Sequence, residues 1–505
     1  MSAPLANKMN SKNKSPFLSA KVIGLFLGPT VAITLLLLGA PAEMQAVDGD
    51  FKGAWVTFAL LILMAIWWIT EAIPIPVTAL LPLIVLPMFG VASIKEASAP
   101  YMHPIVVMLM GGFIFAKAIE QWRLHERIAL FVVCKTASSP AKLIGGFMIA
   151  SALLSMWISN TATSIMMVPI ALSVAAALGD SLKDKQQAFT MALLLGITYA
   201  CSIGGLGTPI GTPTNLIVIG YLNDHHDTQI DFSQWMMFGI PLIILLLPLT
   251  WLALTKFIFR IPNIAVNTAQ NQVEAQYKAL GAMTTPQART LIVFCIIAFL
   301  WAFRGPLSEI NIAGYTPLSG LTDHVTAIIA VLLCFVIPSG EKNRPGQRLL
   351  DWKVAEQIPW GVVLLFGGGM SLAQSISQTG LSTYLGQNLS VLAELPVLAL
   401  ILIVTTFVIL LTEITSNIAT ASAVMPVIGA MAVSAGIPIE LMAVPVALAA
   451  GCAFMLPMAT GPNAVVFATD KVSIMQMASV GVRINIIAII TITILAYFIA
   501  PIVFG

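Results

Sequence analysis

Ser155-Met-Trp-Ile-Ser159-Asn160-Thr161-Ala162-Thr163 and Thr412-Glu-Ile-Thr-Ser416-Asn417-Ile418-Ala419-Thr420 are two versions of one design. Each has a proline at the same distance beyond it, Pro169 and Pro426, and each lies between two apolar arms. Each is followed downstream by a Gly/Pro-rich break ending in asparagine: Gly211-Thr212-Pro213-Thr214-Asn215 and Ala459-Thr460-Gly461-Pro462-Asn463. A polar pattern that occurs twice in corresponding, interrupted hydrophobic segments points to a binding site shared by two repeats, as in secondary transporters.

The rest of the chain is strongly apolar. Of 505 residues, 58% are hydrophobic and 9% charged, against roughly 25% charged in soluble domains. Mean hydropathy is +0.94, and many apolar runs are long enough to cross about 30 Å of hydrocarbon. The fold class expected is an all-α polytopic membrane protein. The five cysteines (Cys134, Cys201, Cys295, Cys334, Cys452) are scattered, with no metal-ligand spacing and no pattern of a disulfide framework. A basic tail, 1–21, precedes an apolar run without a small-residue cleavage site, which reads as a retained helix.

In chain order, helices are expected at about 22–40, 54–70, 77–91 and 104–119, with an acidic loop (Glu43, Asp48, Asp50) after the first. Trp67 and Trp68 suit a membrane interface, and Pro74 and Pro76 a reversal. A stretch with Arg123, Glu126 and Arg127 reads as a helix on the membrane surface. Over 142–178 two short arms flank Ser159-Asn160-Thr161, the pattern of a re-entrant hairpin whose tip is buried in protein or lines a cavity. A helix from about 187 breaks at 204–213, where glycines and prolines cannot continue it. After a polar loop with His225 and His226, helix 235–255 ends the first half (22–259). A hydrophilic linker, 260–288, leads to the second half (289–505). That half has helices at 289–303, 322–337 and 360–377, a hairpin at 393–435, a broken helix and a closing helix. The total is about eleven transmembrane helices plus two re-entrant hairpins in an inverted repeat.

Charge sets the expected orientation. With the N-terminus and linker in the cytoplasm and Gly505 outside, all of the 24 lysines and arginines except Lys52, Lys95 and Arg304 fall in cytoplasmic loops or near cytoplasmic helix ends. The two hairpins then enter from opposite sides, and their tips meet near the midplane.

No lysine or arginine lies at either tip. An anion held there is held by hydroxyls, amides and the positive N-terminal end of each second arm. Carbonyls of the broken helices and first-arm ends are hard oxygen donors suited to a small cation such as Na⁺. A lone Ser-Asn-Thr is more often helix–helix glue than a ligand site, and a lone break more often a kink; the duplication argues against both. Glu71 and Glu413 are the main acids near break points, and Glu413 reads as structural. His103 and the His225-His226 pair read as loop or interface residues, and the methionine-rich runs as packing. An intramembrane enzyme would need a nucleophile–base pair or metal cluster, which the apolar runs do not offer. A channel fits less well than alternating access around occluding hairpins.

Trp67-Trp-Ile-Thr-Glu71-Ala-Ile-Pro74-Ile-Pro76-Val-Thr-Ala-Leu-Leu-Pro82, both Ser-Asn stretches and both breaks resemble the divalent anion/sodium symporter family, over nearly the whole chain from residue 54. The resemblance implies Na⁺-coupled uptake of a small divalent anion by an elevator-like motion. It implies a homodimer in the plasma (inner) membrane, with a scaffold and a transport domain and no cofactor beyond Na⁺ as coupling ion. C4-dicarboxylates (succinate, malate, fumarate) are the first substrate reading; sodium-independent exchange, sulfate or citrate are the alternatives. By matching motif, one sodium site would use Ser155, Ser159, Asn160 and the Gly211 carbonyl, the other Thr412, Thr415, Asn417 and the Ala459 carbonyl. Substrate would touch Ser159, Asn160, Thr161, Thr212, Ser416, Asn417, Thr460 and Gly461. The chain departs from the family's dicarboxylate carriers at Ile418, where they usually carry threonine, and at Gly461, where some relatives carry proline.

Overall fold

The computed structural model describes residues 20–45, 50–136, 138–178, 182–225, 229–262, 267–312, 315–389 and 395–504. Among them the regular structure is helical throughout, apart from two isolated backbone bridges. Ten of these helices are long and apolar enough to cross a membrane.

The two Ser-Asn stretches are turns between helical arms. Pro140–Ser155 and Asn160–Ala177 flank the first; Val397–Thr412 and Asn417–Ser434 flank the second. Each inbound arm has 16 residues, about 24 Å of helix at 1.5 Å per residue, short of the hydrocarbon thickness. Each broken helix consists of a first segment, an irregular stretch and a second segment: Gln186–Gly205 then Pro213–His225, and Glu440–Gly451 then Gly461–Phe467. Proline at the first or second residue of the restarted helix (Pro213, Pro462) fixes the restart, because the N–H it lacks would have no intrahelical partner there.

Packing is reciprocal between the halves. Each pre-break helix lies along its own hairpin, while each outbound arm packs on the post-break helix of the other half: Asn160–Ala177 on Gly461–Phe467, and Asn417–Ser434 on Pro213–His225. One large apolar core joins the hairpins, the broken helices and Ile474–Phe504. A smaller one, with Met64, Trp68, Leu372 and Ala419, lies around Phe51–Thr70 and Trp360–Gln378. Ile418 touches both cores.

Several elements differ from the sequence reading. The helix expected at 77–91 is two short pieces, Ile75–Thr78 and Pro82–Met88, because Pro76 and Pro82 each restart a turn. The linker contains a helix, Asn267–Ala279. The helix read as lying on the membrane surface, Leu124–Thr136, turns Arg127 into the protein instead. The Arg127 guanidinium is buried and donates to the Leu280, Gly281 and Ala282 carbonyls at 3.0–3.2 Å and to Gln287 Oε1 at 3.1 Å. A guanidinium is the side chain able to satisfy that many acceptors at once. A further helix, Leu381–Leu389, follows Trp360–Gln378. Asp48, His226 and Gly505 lie outside the described residues.

Two of these helices touch backbone to backbone. A Cβ on Gly204 would lie 2.3 Å from the Ala152 carbonyl oxygen and 2.5 Å from its Cα. Gly204→Ala is therefore expected to cost about 1–3 kcal/mol of overpacking, read as a lower thermal midpoint of the purified protein. Gly305→Ala, where a Cβ meets nothing within 4 Å, should leave the midpoint unchanged; equal midpoints for the two variants would refute the contact.

Candidate functional site

Both turns and both breaks open onto one cavity of about 570 Å³. It is lined by Ser159, Asn160 and Thr161 from the first turn, and by Ser416, Asn417 and Ile418 from the second. Gly211 and Thr212 line it from the first break, and Ala459, Thr460 and Gly461 from the second. All eight residues singled out for substrate thus meet at one place. Ser155, Thr412 and Thr415, singled out for sodium, lie buried behind the lining.

Ser159 and Ser416 are the N-caps of the outbound arms, yet neither side chain caps its helix. Serine at this position ordinarily accepts from an N–H of the first turn. Here the first-turn N–H groups and both hydroxyls remain free beside the cavity, at two positive helix ends. Such ends attract negative charge.

The irregular stretches must satisfy their own backbone groups. In each half the terminal asparagine does this in the same way. Asn215 Nδ2 donates to the Gly205 and Thr208 carbonyls at 3.0 and 2.8 Å. Asn463 Nδ2 donates to the Ala453 and Leu456 carbonyls, at the same offsets, at 3.1 and 3.0 Å. Asn463 Oδ1 also accepts from Thr198 Oγ1 of the first half at 2.8 Å, whereas Asn215 Oδ1 has no partner. The sequence pattern marked both asparagines as ends of breaks but assigned them no work; the structure makes them clamps.

Turn and break are tied together by different groups in the two halves. In the first, Thr208 Oγ1 donates to the Met156 carbonyl and accepts from Gly211 N–H at 3.0 Å. In the second, Glu413 stands where the first half has Met156. Its carboxylate accepts from Phe454, Met455 and Leu456 N–H at 2.7–3.1 Å, and from Asn485 Nδ2 at 2.7 Å. Glu413 is thus fully engaged with backbone, in keeping with its structural reading. Glu71 is exposed, at a left-handed helix end, and pairs with Lys21 at 3.0 Å.

The oxygen sets behind the turns also differ. At the first, Ser155 Oγ and Asn160 Oδ1 are buried and have no partner. A Cβ on Gly205 would lie 2.9 Å from Asn160 Oδ1 and 3.2 Å from the Gly211 carbonyl oxygen. Unsatisfied oxygens crowded beside glycine carbonyls suit a small hard cation. At the second, Thr412 Oγ1 donates to Asn417 Oδ1 at 2.8 Å and contacts the Ala450 carbonyl at 3.0 Å. Thr415 Oγ1 donates to the Leu411 carbonyl at 2.8 Å and bonds Thr420 Oγ1. A cation there has to displace the Thr412–Asn417 bond.

Gly461 has a steric cause. A Cβ at 461 would fall 2.0 Å from Thr161 Oγ1, so the first turn sits against the second break. Two charged cavity residues escaped the sequence reading. Lys117 and Glu120, from helix Pro104–Gln121, line the wall and pair with each other at 2.7 Å. Their spacing of three at the end of an apolar run was the available signal. His103 accepts from Ile105 N–H through Nδ1 and lies 3.0 Å from Asp224.

An integral membrane protein with paired helix hairpins and broken helices around one cavity is built as a carrier. Residues 19–504 match the family described as the sodium:sulfate symporter transmembrane region, and the chain belongs to this family of transporters. It is 40% identical over 501 residues to the sodium-dependent dicarboxylate transporter SdcS of Staphylococcus saprophyticus, covering 98% of this chain and 94% of the relative. It is 39% identical to SdcS of Staphylococcus aureus, over the same shares. The fold is similar to that of MtrF from Neisseria gonorrhoeae (TM-score 0.57, 13% identity, 92% of this chain and 96% of the other). It is also similar to the YdaH transporter of Alcanivorax borkumensis (TM-score 0.53, 13% identity, 91% and 98%).

The clamps can be tested separately from transport. Asn463→Leu removes three hydrogen bonds and Asn215→Leu two, so each should lower stability, by about 1–3 kcal/mol per buried group left unpaired. Asn463→Leu should lower the thermal midpoint further. The reverse order would show that the link to Thr198 contributes nothing.

Proposed function

We propose that this protein couples inward movement of Na⁺ to uptake of a small dianion, most simply a C4-dicarboxylate such as succinate, malate or fumarate. The observation that carries the reading is the convergence of two uncapped helix N-termini, Ser159-Asn160 and Ser416-Asn417, on one cavity. Two positive ends, one from each half, match the two carboxylates of such a substrate. The SdcS relatives, named as sodium-dependent dicarboxylate transporters, support it.

In this reading Ser159, Asn160, Thr161, Thr212, Ser416, Asn417, Thr460 and Gly461 form the substrate cradle. Sodium binds behind the first turn at Ser155, Ser159, Asn160 and the Gly211 carbonyl. It binds behind the second at Thr412, Thr415, Asn417 and the Ala459 carbonyl. The orphaned Ser155 and Asn160 oxygens support the first set directly. The reciprocal packing supports an inverted repeat, with halves 22–259 and 289–505 about the linker 260–288. Eleven membrane helices and two re-entrant hairpins complete the arrangement. Lysine and arginine placement puts the N-terminus in the cytoplasm and the C-terminus outside. The family resemblance supports a homodimer in the inner membrane and an elevator-like motion.

Uptake of labelled succinate into proteoliposomes should disappear when Na⁺ is replaced by choline or K⁺. Uptake at full rate in K⁺, driven by internal dicarboxylate, would establish exchange instead. Asn160→Ala and Asn417→Ala each delete an amide that both donates and accepts. At about 1–3 kcal/mol per lost partner, each should lower transport about tenfold or more in protein that still folds. Near-normal uptake in both would return these residues to helix–helix glue.

Ile418 carries no hydroxyl where its counterpart Thr161 does, and it lines the cavity. Ile418→Thr keeps the β-branch and adds a donor, so it should tighten half-saturating succinate by about 0.5–1.5 kcal/mol, the net worth of one hydrogen bond. Unchanged or weaker affinity at fixed Na⁺ would mean that the side chain faces away from the substrate or that the ligand is not a C4-dicarboxylate.

A further inference from the structure

Away from the central cavity, a cleft of about 460 Å³ opens between helix Leu124–Thr136, the first hairpin's inbound arm Pro140–Ser155 and helix Phe232–Leu252. Lys135, Ser138 and Lys142 line it at the start of the inbound arm, beside Trp251; Ile149 lines it about two turns further along, with Leu247. Ile149 on the wall is 42% exposed, and Leu153, Ile244, Leu245 and Leu249 on the same two helices are exposed as well. Apolar side chains exposed on membrane helices face hydrocarbon, so the cleft opens toward lipid.

Glycine lets the walls of the cleft approach closely. A Cβ on Gly146 would collide with Thr136 Oγ1, and one on Gly145 would press on the Trp251 indole at 3.2 Å. Trp251 is held in place as a wall by donating Nε1–H to the Ala141 carbonyl at 2.8 Å. Among the described residues, no acidic side chain lines the cleft. Lys135 and Lys142 are both exposed, and neither has a carboxylate partner among the described residues. Lys135 Nζ lies 5.7 Å from the Phe131 ring centroid, a contact that leaves its charge unneutralised.

We propose that this cleft binds one anionic phospholipid. The phosphodiester sits between the Lys135 and Lys142 ammonium groups with the Ser138 hydroxyl as a further donor, and one acyl chain lies in the slot against Ile149, Leu247 and Trp251. A basic pocket between membrane helices recognises anionic headgroups, and the apolar slot below it has the shape of a chain rather than of a free ion. Bound there, the lipid joins the inbound arm of the first hairpin to the helix that precedes it.

The test is native mass spectrometry of the full-length protein with equimolar dioleoylphosphatidylglycerol and dioleoylphosphatidylcholine. The wild type should retain the glycerol lipid about tenfold or more over the choline lipid, on the scale of two lysines near an anionic surface. Lys135→Gln/Lys142→Gln should bring the two lipids to parity, and Lys135→Arg/Lys142→Arg should keep the preference, which separates lost charge from lost fold. Ile149→Trp fills the slot with both lysines intact and should also abolish retention. Lys353→Gln, outside the cleft, should change nothing. Glycerophosphoglycerol, the headgroup without chains, should not compete. Equal retention of both lipids by the wild type, or undiminished preference in the double glutamine variant, overturns the proposal. So does disulfide formation between two copies through Ile149→Cys, which would put a second chain in the cleft.

Discussion

An unwound backbone at membrane depth has no water to fall back on, and the structure is arranged around that constraint. Each exposed N–H or carbonyl left unpaired there costs several kcal/mol. Asn215 and Asn463 meet the demand for acceptors in the two breaks with the same pair of bonds. Trp235 adds a third donor, to the Leu206 carbonyl at 3.0 Å. On the donor side, Glu413 gathers three consecutive N–H groups that no helix claims. With these bonds made locally, the groups left free at the two turns are two serine hydroxyls, two helix N-termini and the oxygens of Ser155 and Asn160.

The halves share architecture without sharing chemistry. The same joint between turn and break is made by a threonine hydroxyl in one and a carboxylate in the other. One turn leaves its amide oxygen unpartnered, while the other ties it to Thr412. One presents Thr161 to the cavity, the other Ile418, which is also wedged between the two apolar cores. A pseudo-symmetric cavity with unequal ends suits an unsymmetrical ligand, or a symmetrical one off centre.

The hairpins, the breaks and the membrane setting were legible in the sequence because each rests on a local rule: hydropathy over a span, glycine and proline where a helix cannot continue, and a motif written twice. The eight residues that the family resemblance implies for substrate line one cavity. Long-range consequences were not legible. Nothing in the pattern around Arg127 says that it turns inward to collect the carbonyls beyond a helix 150 residues away. Nothing around Glu413 says which backbone it satisfies. Lys117 and Glu120 looked like the polar end of an apolar helix, and only the packing of that helix brings them to the cavity wall. The split of 77–91 into two short helices did have a local cause, Pro82, which periodicity alone outvoted.

The contact between Thr161 and Gly461 has a mechanical meaning. The first half's turn rests on the second half's break with no room for even a methyl group, and Thr198 is bonded to Asn463 close by. The cavity is therefore dovetailed: each half supplies part of the floor under the other's helix end. Prising the halves apart along their pseudo-symmetry axis would dismantle the cavity before it released anything. For the carrier proposed above, such a joint favours moving the cavity as one body over parting its two halves.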